Sequence, residues 1–408
     1  MDEGRKQRGM VIATQKQIRK TTGGWIVPSQ SGQGKYAVAL SAERTSCTCP
    51  DWELRGGKCK HIFAVEYVIE HQRNPDGSTT VTGTGRVRRT YPQNWPAYNQ
   101  AQTSEGDKFQ VLLRDLVAGL PEPEPGRGRP RLPLSDAIFS ATLKVYSTFS
   151  ARRFMSELRE AHARGHIRKV PHFNSVLNPL RDPALTPILR GLITTSSLPL
   201  KAVEIDFAVD SSGFTTNKFH RWFDHKYGQE RQEHDWVKAH IMCGVRTNVV
   251  TAIEIHGRNA SDAHQLPALV AATARNFPIA EVSGDKGYAS VSNIEAVQRV
   301  GGTPYIAFRT SDTGWSGGAW QKALGYFLLH RDEFLAHYHK RSNVESTFSM
   351  IKRKFGDALR SKDETAMVNE TLCKVLCHNL VVLIHEMYEL GIDPTFWAGA
   401  EAAQQARA

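Results

Sequence analysis

The chain has 408 residues, 40% of them hydrophobic and 23% charged, and 52 Lys and Arg against 41 Asp and Glu leave it at +11. That balance supports a buried core and excludes a disordered or fibrous chain; no run of 18 apolar residues reads as a membrane span, and the positive excess fits association with nucleic acid. Six cysteines and an opening without a leader-like segment argue against a disulfide framework and imply the cytoplasm of a prokaryotic cell.

The first patterned region lies at 24–72. Trp25-Ile-Val and the apolar run from Tyr36 to Leu40 flank a Gly-Gln-Gly turn and predict a hairpin, and a helix is expected from about 59 to 71. Between them Cys47, Cys49, Cys59 and His61 are spaced C-x-C-x9-C-x-H. Three thiolates and an imidazole suit one tetrahedral, structural zinc ion. The pattern resembles the SWIM zinc finger, which implies a small ββα module that contacts DNA or protein. Glu66 and Glu70 deny the helix a basic recognition face, whereas Arg5, Lys6, Arg8, Lys16, Arg19 and Lys20 make the flank cationic. The finger with this flank is assigned to 1–73.

Residues 74–133 read as a linker, rich in Asn, Pro, Gly, Thr and Ser through 107 and carrying Arg86, Arg88 and Arg89. Within it Arg127-Gly-Arg129-Pro is similar to an AT-hook core, which would lay Arg127 and Arg129 into a narrow minor groove; a basic proline-rich hinge is the plainer reading. Residues 134–200 are expected to be helical, with Ser135 and Ser150 as caps and Gly165 as a stop, and prolines at 171, 179, 183 and 187 keep the later helices short. Residues 121–201 hold 13 basic and 6 acidic side chains, +7 of the whole-chain +11. The segment reads either as a DNA-contacting helical module or as a lead-in that packs on the next domain.

From 201 the pattern alternates strands and helices. Residues 203–213 predict a strand delivering Asp210 to its end, with Asp206 on the same face four residues earlier. Residues 237–256 predict a hairpin turning at Arg246-Thr-Asn248, 262–276 a helix with Asp262 as its N-terminal acid, and 279–285 a short buried strand ending in Asp285. A helix at 291–300 and a strand at 302–308 come next. Trp315 and Trp320 lie in a glycine-rich stretch, as loop aromatics packing on the core or as a platform for a flipped base. Further on, Tyr338, Arg341, Glu345 and Lys352 fall within an arc of roughly 60° if 337–356 is one helix, beside an apolar stripe of Val344, Phe348, Ile351 and Phe355. Cys373 and Cys377 sit in an apolar helical pattern and, like Cys243, read as buried thiols.

The order Asp210, then Gly284-Asp285-Lys-Gly-Tyr288, then Tyr338-x2-Arg341-x3-Glu345-x6-Lys352 resembles the DDE transposases of prokaryotic insertion sequences, in the group with the Y-R-E-K signature. The resemblance covers about 200–390. It implies an α/β (α+β) chain with an RNase H-like catalytic core at 201–362 and a C-terminal helix and tail at 363–408. It further implies cleavage of a phosphodiester and transfer of the freed 3′ hydroxyl, with two Mg²⁺ (or Mn²⁺) ions about 4 Å apart held by Asp210, Asp285 and Glu345. Asp210 would bridge the ions, and Tyr338, Arg341 and Lys352 would contact DNA phosphates. The partners implied are the double-stranded DNA of element ends and target, and a second copy in a synaptic homodimer, with no membrane. A nuclease of the same fold without joining, and a non-enzymatic DNA-binding regulator derived from a transposase, are the alternatives.

Overall fold

A computed structural model describes residues 3–30, 34–40, 45–72, 94–124, 131–216, 236–257, 260–314 and 317–397. The chain divides into two compact units, Met1–Pro92 and Gln93–Ala408.

The first unit runs α1 (Glu3–Gln15), β1 (Arg19–Thr21), β2 (Gly24–Pro28), β3 (Lys35–Leu40), β4 (Thr45–Cys47), α2 (Pro50–Arg55) and α3 (Lys60–Gln72). Its strands form one antiparallel meander in the order β1-β2-β3-β4. Trp25, Val27 and Val38 join Ile62 and Val65 in a core that also contains Cys47, Cys49, Cys59 and Ile12 of α1. The module is therefore larger than the expected ββα unit. Two strands of three residues are too short to show alternation, and α1 carries little apolar surface along its length, so neither left an apolar pattern to read. The cationic flank is folded too. Gly9 lets α1 lie against α3, because a Cβ there would stand 2.6 Å from Phe63 Cβ and 2.8 Å from the Lys60 carbonyl oxygen, while Arg5 reaches Asp51 at 3.4 Å.

The second unit opens with α4 (Trp95–Ala118), which corrects the linker expected over 74–133. The polar first half of this helix hid it; Ala97, Ala101, Phe109, Leu112, Leu113 and Leu116 nevertheless make one buried stripe. Residues 73–93, 125–130 and 315–316 lie outside the described residues, and with them the AT-hook reading of Arg127 and Arg129, the arginines 86, 88 and 89, and Trp315. Next come α5 (Leu134–Ser147), α6 (Ala151–Ala163) and α7 (Leu185–Ser197). Ser150 caps α6 and Gly165, at φ 76°, lies just past its end as expected. Ser135 does not cap α5. The Glu122 carboxylate does so from twelve residues upstream, accepting from the Leu134 and Ser135 amides at 2.6 and 3.2 Å.

The sheet of this unit contains β5 (Asp206–Thr215), β6 (Trp236–Gly244), β7 (Val250–Gly257), β8 (Glu281–Gly284) and β9 (Thr303–Ile306), with α8 (Leu266–Ala274) and α9 (Val291–Arg299) between its later strands. Its order is β7-β6-β5-β8-β9, antiparallel on the β6–β7 side of β5 and parallel on the β8–β9 side. This is the mixed sheet with helices that an RNase H-like core requires. One face packs Phe207, Val209, Met242 and Val282 against α8 and its neighbours. The other packs Ala208, Phe214, Ile241 and Cys243 against α4–α7 and the chain's last helices.

The chain closes with α10 (Gly318–Leu329), α11 (Arg331–Tyr338), α12 (Ser342–Phe355) and α13 (Glu364–Glu389); α12 and α13 meet that second face, while α10 and α11 pack with Tyr305 and Phe308 in a separate cluster. α13 is long and apolar enough to cross a membrane, yet 94% of its most apolar window is buried inside the unit. It is a core helix and not an appended tail, packing on α4, α5 and α7. Cys373 and Cys377 are buried in it beside Thr142, as the sequence implied. Asn379 accepts from the Val250 amide and donates to the Val250 carbonyl, both at 2.8 Å, which ties α13 to the start of β7.

His378, 3% exposed, donates from Nε2 to the Asn248 carbonyl at 2.9 Å in the β6–β7 turn. Burial holds its imidazole down at about 4. The folded state keeps this ring neutral while the unfolded chain protonates it below about 6.5. Stability therefore falls as pH drops from about 6.5 toward 4, by about 3 kcal/mol from this group. Denaturant midpoints across that range should fall more steeply for the parent chain than for His378→Gln; equal slopes would contradict the assignment.

Candidate active site and metal centre

The register between β5 and β8 brings two acids together. The parallel pair ends at Val209↔Gly284, so the next residues along the chain are Asp210 and Asp285. Asp210 is not at the end of β5, as expected from the sequence; β5 continues to Thr215 because it still pairs with β6. It is the pairing with β8 that stops there. Burial pushes the Asp210 carboxyl above the usual carboxylate range; the neighbouring Asp285 and Glu345 charges add to this, while the Ser211 amide and Arg341 oppose it. Asp210 thus feels the charge of both other acids.

The Gly284-Asp285-Lys286-Gly287-Tyr288 motif has a local explanation. The Asp285 carboxylate accepts from the Gly287 amide, and a Cβ at Gly287 would lie 2.8 Å from that same oxygen. Tyr288, 1% exposed, anchors the turn in the core. A side chain at 287 would force the carboxylate out of its present position.

The signature segment is not one helix. α11 ends at Tyr338, His339–Arg341 form a 3-10 turn, and α12 starts at Ser342. The change of helix type coincides with tertiary anchoring. Lys340 donates to Asp206 at 2.7 Å and Glu281 at 2.8 Å, and His337 meets Glu281 at 2.8 Å. Asp206 and Glu281 are themselves a registered pair across β5 and β8. This clamp seats the turn on the sheet, and it also explains why Asp206, on the same face as Asp210, is already occupied.

Beyond the clamp, Arg341 lies between two acids, 2.5 Å from Glu345 and 3.7 Å from Asp210. Glu345 is in the first turn of α12 with its side chain 53% exposed. Lys352, two turns on, donates to Ser212 at 2.6 Å and stands 5.2 Å from the Phe214 ring. Tyr338 stacks on Phe334 and sits beneath the Arg341 guanidinium at 5.9 Å. Val344, Phe348, Ile351 and Phe355 are buried as expected and hold α12 on the sheet. Asp210, Arg341, Glu345 and Lys352 therefore share one face of β5, but the three carboxylates do not close to within 4.8 Å: among the described residues only the cysteine–histidine quartet does so. Arg341 takes up the space between Asp210 and Glu345.

Several partners carried no sequence signal. Asp262 does not cap a helix with its side chain. It accepts from Ser211 at 2.9 Å and pairs with Lys238 at 2.5 Å, on the opposite face of β5 from Asp210. Trp320 is 6% exposed, donates to the Thr313 carbonyl at 2.7 Å and packs edge-on against Phe308, so it is a core aromatic rather than a platform for bases.

In the first unit Cys47, Cys49, Cys59 and His61 are all buried, with their ligand atoms within 4.8 Å of one another. β4 ends in Cys47, Cys49 precedes α2, Cys59 immediately precedes α3, and His61 lies in the first turn of α3. His61 turns Nδ1 toward Cys47 and Cys59 at 3.8 and 3.9 Å. Tetrahedral zinc with bonds of about 2.3 Å to sulfur and 2.0 Å to nitrogen needs such edges at about 3.6 Å. Hydrogen bonds from Cys47 and His61 pull the Cys59 thiol down, to about 4. Three buried cysteine sulfurs and one imidazole nitrogen at this spacing are the donor set that zinc takes.

Residues 201–380 match the family model of the transposase DDE domain, and residues 36–70 match that of the SWIM zinc finger. Neither the curated proteins nor the solved structures gave a match.

Replacing Lys340 by Met would take the ammonium from Asp206 and leave Glu281 with His337 alone, the two carboxylate side chains being 27% and 18% exposed. A loss of about 1–3 kcal/mol is expected in chemical denaturation; an unchanged midpoint would show that the clamp carries no weight.

Proposed function

We propose that this chain, which carries a transposase DDE domain behind a SWIM zinc finger, is a DNA transposase that cleaves and rejoins the ends of an insertion sequence. The observation that supports this most is the Asp210/Asp285 juxtaposition at the end of the β5–β8 pairing, with Glu345 brought to the same face by α12. Hard oxygen donors in this arrangement suit Mg²⁺ or Mn²⁺. Asp210, Asp285 and Glu345 would hold the ions, which would stabilise the attacking and leaving oxygens of an in-line displacement.

The chain's own residues supply the rest. Arg341 neutralises the acids and, once cations take over that task, is free to turn to a DNA phosphate. Lys352, held at Ser212, offers a second cation on the same face, and Tyr338 orients Arg341 by lying under it. Water or a 3′ hydroxyl attacks, and the leaving 3′ oxygen departs on the opposite side of the phosphorus. In the first unit Cys47, Cys49, Cys59 and His61 would hold one zinc ion, whose task is to fold the finger. The exposed cations of α1, including Lys6 and Arg8, give that unit a face for DNA. The +7 of residues 121–201 falls largely on helices α5–α7 and their connections, whose apolar sides are buried in the core; this favours a lead-in that packs on the catalytic domain while its charged side faces DNA. Two element ends must be held together, so a dimer is the working assembly, in the cytoplasm.

Two experiments test this reading. Asp210→Asn, Asp285→Asn and Glu345→Gln should each abolish Mg²⁺-dependent cleavage of DNA carrying the gene's flanking ends. The loss should exceed the 10- to 100-fold that mutation of a group merely supporting a ligand costs, and precut ends should be joined to a target by the parent chain alone. Cleavage without joining would identify a nuclease; full activity in Asp285→Asn would end the catalytic assignment. Separately, a strong zinc chelator should melt the Met1–Pro92 unit in calorimetry and leave the other unit's transition in place, whereas an unaltered thermogram would refute the zinc assignment.

A further inference from the structure

A cavity of about 240 Å³ opens between α5, α13 and the segment after α12. Lys144, Arg181, Arg360, Lys362 and Lys374 line it, against Asp363 and Glu370, so five positive and two negative side chains leave +3. Most of these charges are already engaged. Lys374 donates to the Gly356 and Ala358 carbonyls, both at 2.8 Å. The Arg360 guanidinium donates to the Phe149 and Thr148 carbonyls. Glu370 accepts from the Arg360 and Ser361 amides, and Asp363 from the Ala366 amide.

Lys144 is different. It is 4% exposed, lines the cavity and makes neither a hydrogen bond nor an ion pair with any of the described residues. Its stem is buried while the ammonium reaches into the cavity, where solvent or a ligand must supply the partners that the protein does not. Burial accordingly lowers its pKa to about 8, with Arg360 and Lys374 adding to the effect and Glu370 opposing it. A mono- or dianion with several acceptor oxygens would satisfy Lys144 and leave room for contacts from Arg181 and Lys362 at the rim.

The cavity also continues the candidate active face. Asp210, Ser212 and Phe214 alternate along one side of β5. Lys352 reaches Ser212, and Lys352 and Lys374 approach the Phe214 ring at 5.2 and 5.7 Å. The edge of β5 then bridges from Thr215 to Ala358, at the cavity wall. From Asp210 to Phe214 is about 13 Å along the strand, a span of a few nucleotides.

We infer that this cavity is a phosphate site, which holds one backbone phosphate of the DNA strand a few nucleotides from the bond being cut, with Lys144 as its buried anchor. The inference rests on the proposed DNA-processing function; the phosphate chemistry itself does not.

The test is the salt dependence of DNA binding by the full chain, with Ca²⁺ in place of Mg²⁺ and a labelled duplex bearing the gene's flanking ends. Lys144→Met should lower the slope of log affinity against log salt by about one, the share of a single phosphate contact. Its unfolding midpoint should be equal to or above the parent's. Should Lys144→Met fail to fold, the rim variant Lys362→Gln carries the same expectation. Slopes equal to the parent's in both variants would overturn the DNA assignment. A second arm distinguishes the source: inorganic phosphate should raise the parent's unfolding midpoint more than that of Lys144→Met. If the parent does not bind DNA at all, the proposed function fails, and this arm alone decides whether the cavity takes phosphate. No difference in either arm would overturn the site.

Discussion

The parallel pairing of β5 with β8 is the constraint on which the rest of the second unit depends. Its last registered pair, Val209↔Gly284, fixes Asp210 and Asp285 as neighbours. Its first, Asp206↔Glu281, creates the acidic pair that Lys340 closes over. One four-residue ladder thus places two acids at one end and seats the segment carrying the third at the other. Shifting it by one residue would turn every β8 side chain to the opposite face, burying Glu281 and exposing Val282. The apolar face packed on α8 therefore defends the geometry of the polar site.

Charge compensation within the cleft arises from that arrangement. Asp210 is partly buried beside two other carboxylates, a state that self-repulsion disfavours. Arg341 relieves it by lying between Asp210 and Glu345. A divalent ion would relieve it more strongly, and the guanidinium it displaces would be left beside the phosphate that such ions bind. Lys352 and Lys374, aligned along Phe214, extend the same positive potential away from the acids.

Much of this was legible in the sequence. Period-two alternation marked β5, a long apolar run broken at Arg246-Thr-Asn248 marked β6 and β7, the motif Gly-Asp-Lys-Gly-Tyr marked the β8 turn, and the apolar stripe of α12 marked which side of that helix is buried. The cysteine–histidine spacing predicted a cluster that the fold assembles. The hidden features were set by tertiary contacts rather than local pattern. A helix period runs smoothly through 337–356, and only the Lys340 clamp, made to residues 134 and 59 positions away, reveals why a 3-10 turn interrupts it. α4 was obscured by its polar first half, and α1 by its scarcity of apolar positions. Asp210 looked terminal because the residues after it are small, yet β6 keeps the strand going. The burial of Lys144 at the wall of a cavity has no sequence signature.

The central claim is that Asp210, Asp285 and Glu345 gather around shared divalent ions. Iron(II) placed in that site, with ascorbate and peroxide, would cut the backbone only where the chain lies beside the metal. The account predicts cuts near 210, 285 and 345 that Mg²⁺ suppresses together and that Asp285→Asn removes at all three places. Cutting confined to one of these segments, or insensitive to Mg²⁺, would contradict it.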